Sequence, residues 1–191
     1  MSRQPEYPVE DLFIRRWSPR AMSGAPVAKD ELFRLFEAAR WAPSSGNNQP
    51  WRFVYGLAGT PHFEPLFNLL VDGNKPWCGR AGALVVVLSR KTRDNGQPAR
   101  THSLDTGAAW MSLALQGSRQ GLVVHGMEGF DYDRARTELA VPADHEVEMM
   151  IAIGHPGAVE DLPERYRGRE VPSERHPLAS KIFEGRCEAK P

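Results

Sequence analysis

Between residues 29 and 40 the apolar side chains Leu32, Leu35, Phe36 and Ala39 fall at i, i+3, i+4 and i+7, one stripe at helical period. Asp30 and Glu31 occupy the first turn, where carboxylates complement the helix dipole, and Trp41-Ala42-Pro43 ends the run. The spacing therefore predicts a helix with one core-facing side. Thr60-Pro61 supplies N-cap and N1 residues for a second helix carrying Phe63, Leu66, Phe67 and Leu70, broken by residues 72–76. The longest helical pattern covers residues 102–120. There Leu104, Ala108, Met111 and Leu115 form one stripe, while Ala109, Leu113 and Ala114 widen the apolar surface. A helix apolar over most of its circumference is either central in the core or shared with a partner subunit. Gly121 suits the position just past its end.

Strand patterns alternate with these helices. Residues 83–88 are a continuous apolar run, as in a strand covered on both faces. Residues 51–55 are strand-like. Residues 122–124 lead into a glycine-punctuated turn, Gly126-Met127-Glu128-Gly129-Phe130-Asp131, with a short helix entered at Asp131. Residues 146–153 alternate and place Val147, Met149, Ile151 and Ile153 on one face. Four strands among helices give an α+β or α/β class. Residues 90–100 are polar and predict an exposed loop. From about residue 155 the chain is rich in proline, glycine and charge, and is expected to wrap the domain or a second subunit.

The 191 residues suit a single domain, 1–191, with one sizeable core. Lysine plus arginine and aspartate plus glutamate each number 24, so no basic excess favours a nucleic acid or a membrane surface. No apolar run reaches the ~20 residues of a membrane span, and residues 1–10 lack the apolar region of a secretory signal. Cys78 and Cys187 show no metal-ligand spacing. A cytoplasmic protein without a structural metal is the expectation.

Two stretches carry candidate chemistry. Residues 42–51 set serines, asparagines and a glutamine, uncharged donors and acceptors, between Pro43 and Pro50, which brace the loop. That inventory suits a planar polar ligand, although a plain turn has the same composition. Arg15, Arg16, Ser18 and Arg20 bring three guanidinium groups and a hydroxyl within six residues. Guanidinium forks match phosphate oxygens, and a solvated basic patch has the same local sequence. There is no HExxH, G-x-S-x-G, G-x-G-x-x-G or P-loop, so a zinc protease, a hydrolase elbow, a Rossmann site and an NTPase are not indicated.

Four blocks in order resemble the FMN-dependent nitroreductase family: Arg16-Trp17-Ser18-Pro19-Arg20, residues 43–51, Gly126–Asp131, and Ile151–Pro156 followed by Arg175-His176-Pro177-Leu178. The resemblance implies an α+β, three-layer fold with a central mixed, mostly antiparallel sheet flanked by helices. It also implies an intertwined homodimer, the segment from about 155 to 191 wrapping the partner, with FMN at the interface. By the same resemblance Arg16, Ser18 and Arg175 are phosphate and ribityl contacts, Arg20 lies at the flavin N1–C2 carbonyl edge, and Asn74 meets the pyrimidine edge. Pro43, Ser44, Ser45 and Asn47 come from the other subunit with Gln49 bracing them, and Glu128 and Gly129 lie near N5 and O4. Trp17, Gly126, Met127 and Ser173 complete the cofactor set. Trp17 departs from the residue usual before the serine, and Ser173 stands where some members carry a lysine. The implied activity is ping-pong: NAD(P)H reduces FMN, which reduces a small acceptor such as a nitroaromatic or quinone. No side chain is assigned as acid or base, because the flavin carries the chemistry. Same-fold alternatives are dehalogenation, flavin fragmentation, and a non-catalytic flavin-binding sensor.

Overall fold

A computed structural model describes residues 3–187. Its elements, in chain order, are α1 (Asp11–Arg15), α2 (Lys29–Arg40), β1 (Trp51–Leu57), α3 (Phe63–Asn68), α4 (Lys75–Cys78), β2 (Ala83–Arg90), α5 (His102–Arg119), β3 (Val123–Met127), α6 (Tyr132–Glu138), β4 (His145–Gly154) and α7 (Glu164–Arg167). The strands form one sheet of order β1-β2-β4-β3. All three pairings are antiparallel, the dominant pairing expected, and no parallel pairing occurs among the described residues.

Strand β2 lies inside the sheet and is buried along nearly its whole length, as its unbroken apolar run requires. Alternate residues of β2 and β4 divide between two cores. Val85, Val87, Ile151 and Ile153 face α2 and α5, meeting Leu32, Leu35, Ala39, Ala109 and Leu113. Leu84, Val86, Met150 and Ala152 face α3, α4 and α6, meeting Leu66, Leu69, Trp77 and Ala135. The result is a three-layer α+β fold.

Three local expectations are corrected. Val147 packs with Met150 and Ala152, not with Met149 and Ile151, because the register against β2 slips between Val87 and Leu88. Met149 opposes Val87 and Val147 opposes Leu88, so Glu148 is an extra residue, and this bulge turns Val147 to the other face. Thr60 does not cap α3. Its hydroxyl donates to the Leu57 carbonyl at 2.8 Å in a turn, and the helix starts at Phe63. On α5 the buried side is Asp105, Thr106, Ala109, Leu113, Ala114 and Gly117, whereas Leu104 is 74% exposed and Met111 37%. The smaller side chains face the sheet because the approach is close: a Cβ on Gly117 would lie 2.3 Å from Cγ2 of Val124.

The N-terminal segment and the tail meet. Arg3 donates to the Ser173 carbonyl at 3.0 Å, and the Leu178 N–H donates to Oε1 of Glu6 at 2.8 Å. The Tyr166 hydroxyl of α7 donates to the Gly73 carbonyl. The tail after β4 is thus tied to its own N-terminal segment and to the turn before α4.

Candidate cofactor site

A cavity of about 460 Å³ lies beside the edge strand β3, lined by Arg3, Arg16, Arg20, Arg169 and Arg175 with Trp17, Ser18, His125, Gly126, Val171 and Ser173. Five arginines and no acidic residue line it. Arg3 donates to the carbonyls of Ile14 and Arg16, each at 2.9 Å, and to that of Ser173, so it staples the segment before Trp17 to the tail. Arg16 donates to Oγ of Ser18 at 3.3 Å, and Arg175 to the Ser173 hydroxyl at 3.2 Å. Burial first, then the charges of Arg3 and Arg175, push the Arg16 pKa below the ordinary guanidinium range. A guanidinium stays protonated even so, and the strain of like charges is relieved by an anion.

Behind this wall is a buried polar group that the sequence did not reveal. Oε1 of Glu170 accepts the backbone N–H groups of Arg20 and Ala21 at 2.7 and 2.8 Å. Its Oε2 has no partner among the described residues. The Arg20 guanidinium stands 5.8 Å over the Trp77 ring, whose other neighbour is the His125 ring at 4.6 Å. His125 lies 2.8 Å through Nδ1 from the Pro19 carbonyl. A carbonyl only accepts, so that nitrogen carries the proton.

Burial, partly opposed by the bond to Pro19, holds the His125 pKa below its ordinary value. The unfolded chain, with a histidine near its usual pKa of ~6.5, then takes up a proton before the native state does. Stability is therefore complete above that pH and declines as pH falls from it toward the lower native pKa. Melting temperatures measured from pH 7.5 to 5.5 should fall, and His125→Asn, which keeps a donor toward Pro19, should flatten the decline by up to ~1.4 kcal/mol per pH unit. Equal slopes in both proteins would exclude His125 as the source.

At its far end β3 enters the turn 128–131, which is stitched to the α3–α4 connection. The Gly129 carbonyl accepts from the Val71 N–H at 3.1 Å and from Nδ2 of Asn74 at 3.0 Å, while Oδ1 of Asn74 accepts from the Trp77 indole at 3.2 Å. Asn74 therefore braces the turn, with one N–H left over for a ligand. A Cβ on Gly129 would lie 2.5 Å from that Nδ2, which accounts for glycine there. Among the described residues the N–H groups of Glu128 and Gly129 have no acceptor, so they remain available as donors.

The loop before β1 is held differently. Gly46, Asn47 and Gln49 all have positive φ, a conformation that costs non-glycine residues energy and needs external support. Ser44 Oγ accepts from the Gln49 N–H at 3.0 Å, and Gln49 Nε2 donates to the Asn47 carbonyl at 3.2 Å. Oδ2 of buried Asp105, on α5, accepts from the Ser45 N–H at 3.1 Å and from the Thr101 hydroxyl at 2.9 Å. Pro43, Ser45, Asn47 and Gln49 nevertheless face outward.

The structure thus brings Arg16, Trp17, Ser18, Arg20, Gly126, Ser173 and Arg175 to one cavity, and joins Asn74 to Gly129 at the end of the same strand as Met127 and Glu128. It does not bring Pro43, Ser44, Ser45, Asn47 or Gln49 to them: that loop opens β1, the opposite edge of the sheet from β3, the two edges being about 14 Å apart at ordinary strand spacing. Arg3, Arg169, His125, Glu170 and Asp105 escaped sequence reasoning. Arg3, His125, Glu170 and Asp105 act through partners remote in the chain, and Arg169 lies in a tail marked only by its content of proline, glycine and charge. Among the described residues no group of three or more histidine, cysteine, aspartate or glutamate side chains could hold a metal ion, and no helix is long and apolar enough to cross a membrane.

The chain matches the profile of the Nitroreductase family over residues 14–55 and 60–155. It is similar to a crystal structure described as an oxidoreductase containing FMN, with 45% identity, 98% of this chain and 97% of that one covered, and a TM-score of 0.94. A Desulfovibrio desulfuricans protein provisionally named a nitroreductase, solved in complex with FMN, is 25% identical over 96% of this chain and all of that one, with a TM-score of 0.73. An uncharacterised 15.4 kDa protein of Mycolicibacterium smegmatis is 33% identical over 71% of this chain and 96% of its own length. A Streptomyces coelicolor protein, provisionally named an NADH dehydrogenase/NAD(P)H nitroreductase, is 26% identical over 80% and 86%.

Proposed function

This chain belongs to the nitroreductase family, and we propose that it is an FMN-dependent oxidoreductase that takes electrons from NAD(P)H and delivers them to a small acceptor by a ping-pong mechanism. The observation that carries this reading is the arginine-lined cavity beside β3, together with a turn at the end of that strand that keeps spare N–H donors. Both solved relatives described with FMN add to it.

The donor set fits FMN. Arg16, Ser18 and Arg175 would hold the phosphate and ribityl hydroxyls, the cavity offering charge-assisted donors and no competing carboxylate. Arg20 would sit by the N1–C2 carbonyl edge, where its charge favours the reduced state electrostatically. The N–H groups of Glu128 and Gly129 would meet N5 and O4, and the remaining Asn74 N–H the pyrimidine edge. When bound, FMN would supply the chemistry by accepting two electrons from NAD(P)H and passing them on in a second half-reaction. The protein binds, orients and tunes.

The outward Pro43-to-Gln49 loop would complete the site of a second copy, making the unit a homodimer with shared flavin sites and the tail from about 155 reaching across it; of the segment 155–191, residues 188–191 lie outside the described residues. The apolar outer face of α5 supports this reading, since it has no cover in one chain. Initial rates with varied NAD(P)H and acceptor should give parallel double-reciprocal lines. Lines that intersect would require both substrates to be bound together and would overturn the ping-pong order.

A further inference from the structure

Even with the carboxylates of Glu170 behind its wall and Glu174 near Arg3 counted, the cavity holds more positive charge than one flavin phosphate can balance. A phosphate monoester brings about −1.5 to −2, whereas the wall carries Arg3, Arg16, Arg20, Arg169 and Arg175, all protonated. Their engagements differ. Arg3 is committed to three backbone carbonyls. Arg16 and Arg175 are steered by Ser18 and Ser173 and keep spare donors for a phosphate. Arg20 stands over Trp77. Arg169 serves no such purpose: among the described residues its guanidinium has no acceptor, and the neighbouring Glu170 carboxylate is turned inward to the N–H groups of Arg20 and Ala21.

The cavity is also graded. His125 is buried at its floor, Arg16, Trp17, Ser18 and Arg20 are half-buried, and Arg169, Val171, Ser173 and Arg175 are exposed at its mouth. A resident cofactor suits the interior. Arg175, steered by Ser173, reaches from the rim toward that interior set, and Arg169 is the arginine at the mouth left for a group that enters and leaves in every turnover. On the reading that FMN occupies this cavity, we propose that Arg169 forms a second anion subsite for the terminal phosphate monoester of the electron donor, so that NADPH is preferred to NADH. Both nucleotides carry the bridging diphosphate, whose phosphates hold one charge each. Only NADPH adds a dianionic monoester with three oxygens for a guanidinium fork.

The test uses the FMN-loaded protein and two probes, adenosine 2′,5′-bisphosphate and AMP, titrated by calorimetry. The wild type should bind the bisphosphate about tenfold more tightly than AMP, the size expected of a charge-assisted contact. In Arg169→Gln that ratio should fall below about threefold, and the ratio of kcat/KM for NADPH over NADH should fall in parallel. Equal affinity for both probes in the wild type, or an undiminished preference in Arg169→Gln, would overturn the subsite. So would a loss of FMN from Arg169→Gln as large as its loss of bisphosphate, because Arg169 would then belong to the flavin phosphate. Flavin bound without bisphosphate preference removes only the subsite, whereas a protein that takes up no FMN removes the functional reading and the subsite with it.

Discussion

Replacing Arg20 with alanine should weaken FMN binding by roughly ten- to a hundredfold and slow reduction of the flavin. A hydrogen bond to a charged group is worth about 1.5–3 kcal/mol, and 1.4 kcal/mol is about tenfold in affinity. The fold should survive, because what anchors this segment is the backbone: the N–H groups of Arg20 and Ala21 bind Glu170 whatever side chain residue 20 carries. What is lost is the guanidinium over Trp77 at the cavity wall. Arg20→Lys should recover charge without the planar fork, and so recover reduction rate better than affinity. Fluorescence titration of the apoprotein and stopped-flow reduction measure the two effects separately. Unchanged traces in Arg20→Ala would remove this residue from the site.

Met111→Asp should split the dimer and empty the flavin site together. Met111 and Leu104 lie on the face of α5 turned away from the sheet, where a single chain leaves Leu104 largely and Met111 partly in water. In the monomer a carboxylate there is harmless. In an apolar interface it would be buried without a partner, weakening association by roughly a hundredfold or more. Asp105, next to Leu104 in the same helix, accepts from the Ser45 N–H, which ties the 43–49 loop to α5. In the proposed dimer, losing the partner would also remove the loop it contributes. Sedimentation velocity with absorbance detection of flavin reads both quantities at once. A Met111→Asp protein that stays dimeric would place the interface elsewhere, and one that is monomeric yet retains FMN would make each site the work of one chain.

How much of this was legible in the residues differs from element to element. Helix α2 runs over the residues its apolar spacing marks, because one stripe and one acidic first turn leave a single solution. Strand β2 is buried as its apolar run requires. On α5 two apolar faces share the same period, and the spacing alone could not choose between them. The sheet took the smaller side, where Gly117 lets Val124 approach, and left Leu104 outside. Val147 was misplaced because a one-residue bulge at Glu148 has no sequence signal in an otherwise regular alternation.

The site divides the same way. Arg16, Ser18 and Arg20 lie close together in the chain and do meet one cavity. Their supports come from far away: Glu170 reaches Arg20 across 150 residues and His125 reaches Pro19 across 106. Contacts of that separation depend on how the tail crosses the N-terminal segment, which no local pattern encodes. Asn74 has a part in the structure beyond its expected contact with a ligand, since it holds the Gly129 carbonyl and the Trp77 indole.

The most direct test of the central claim is the visible spectrum of the purified protein, recorded without oxygen before and after one equivalent of NADPH or NADH. The account predicts a yellow protein with flavin absorbance that bleaches on adding the nucleotide and returns when an acceptor such as a quinone or nitroaromatic is supplied. A colourless protein that takes up no added FMN, or a yellow one that neither nucleotide bleaches, would contradict it.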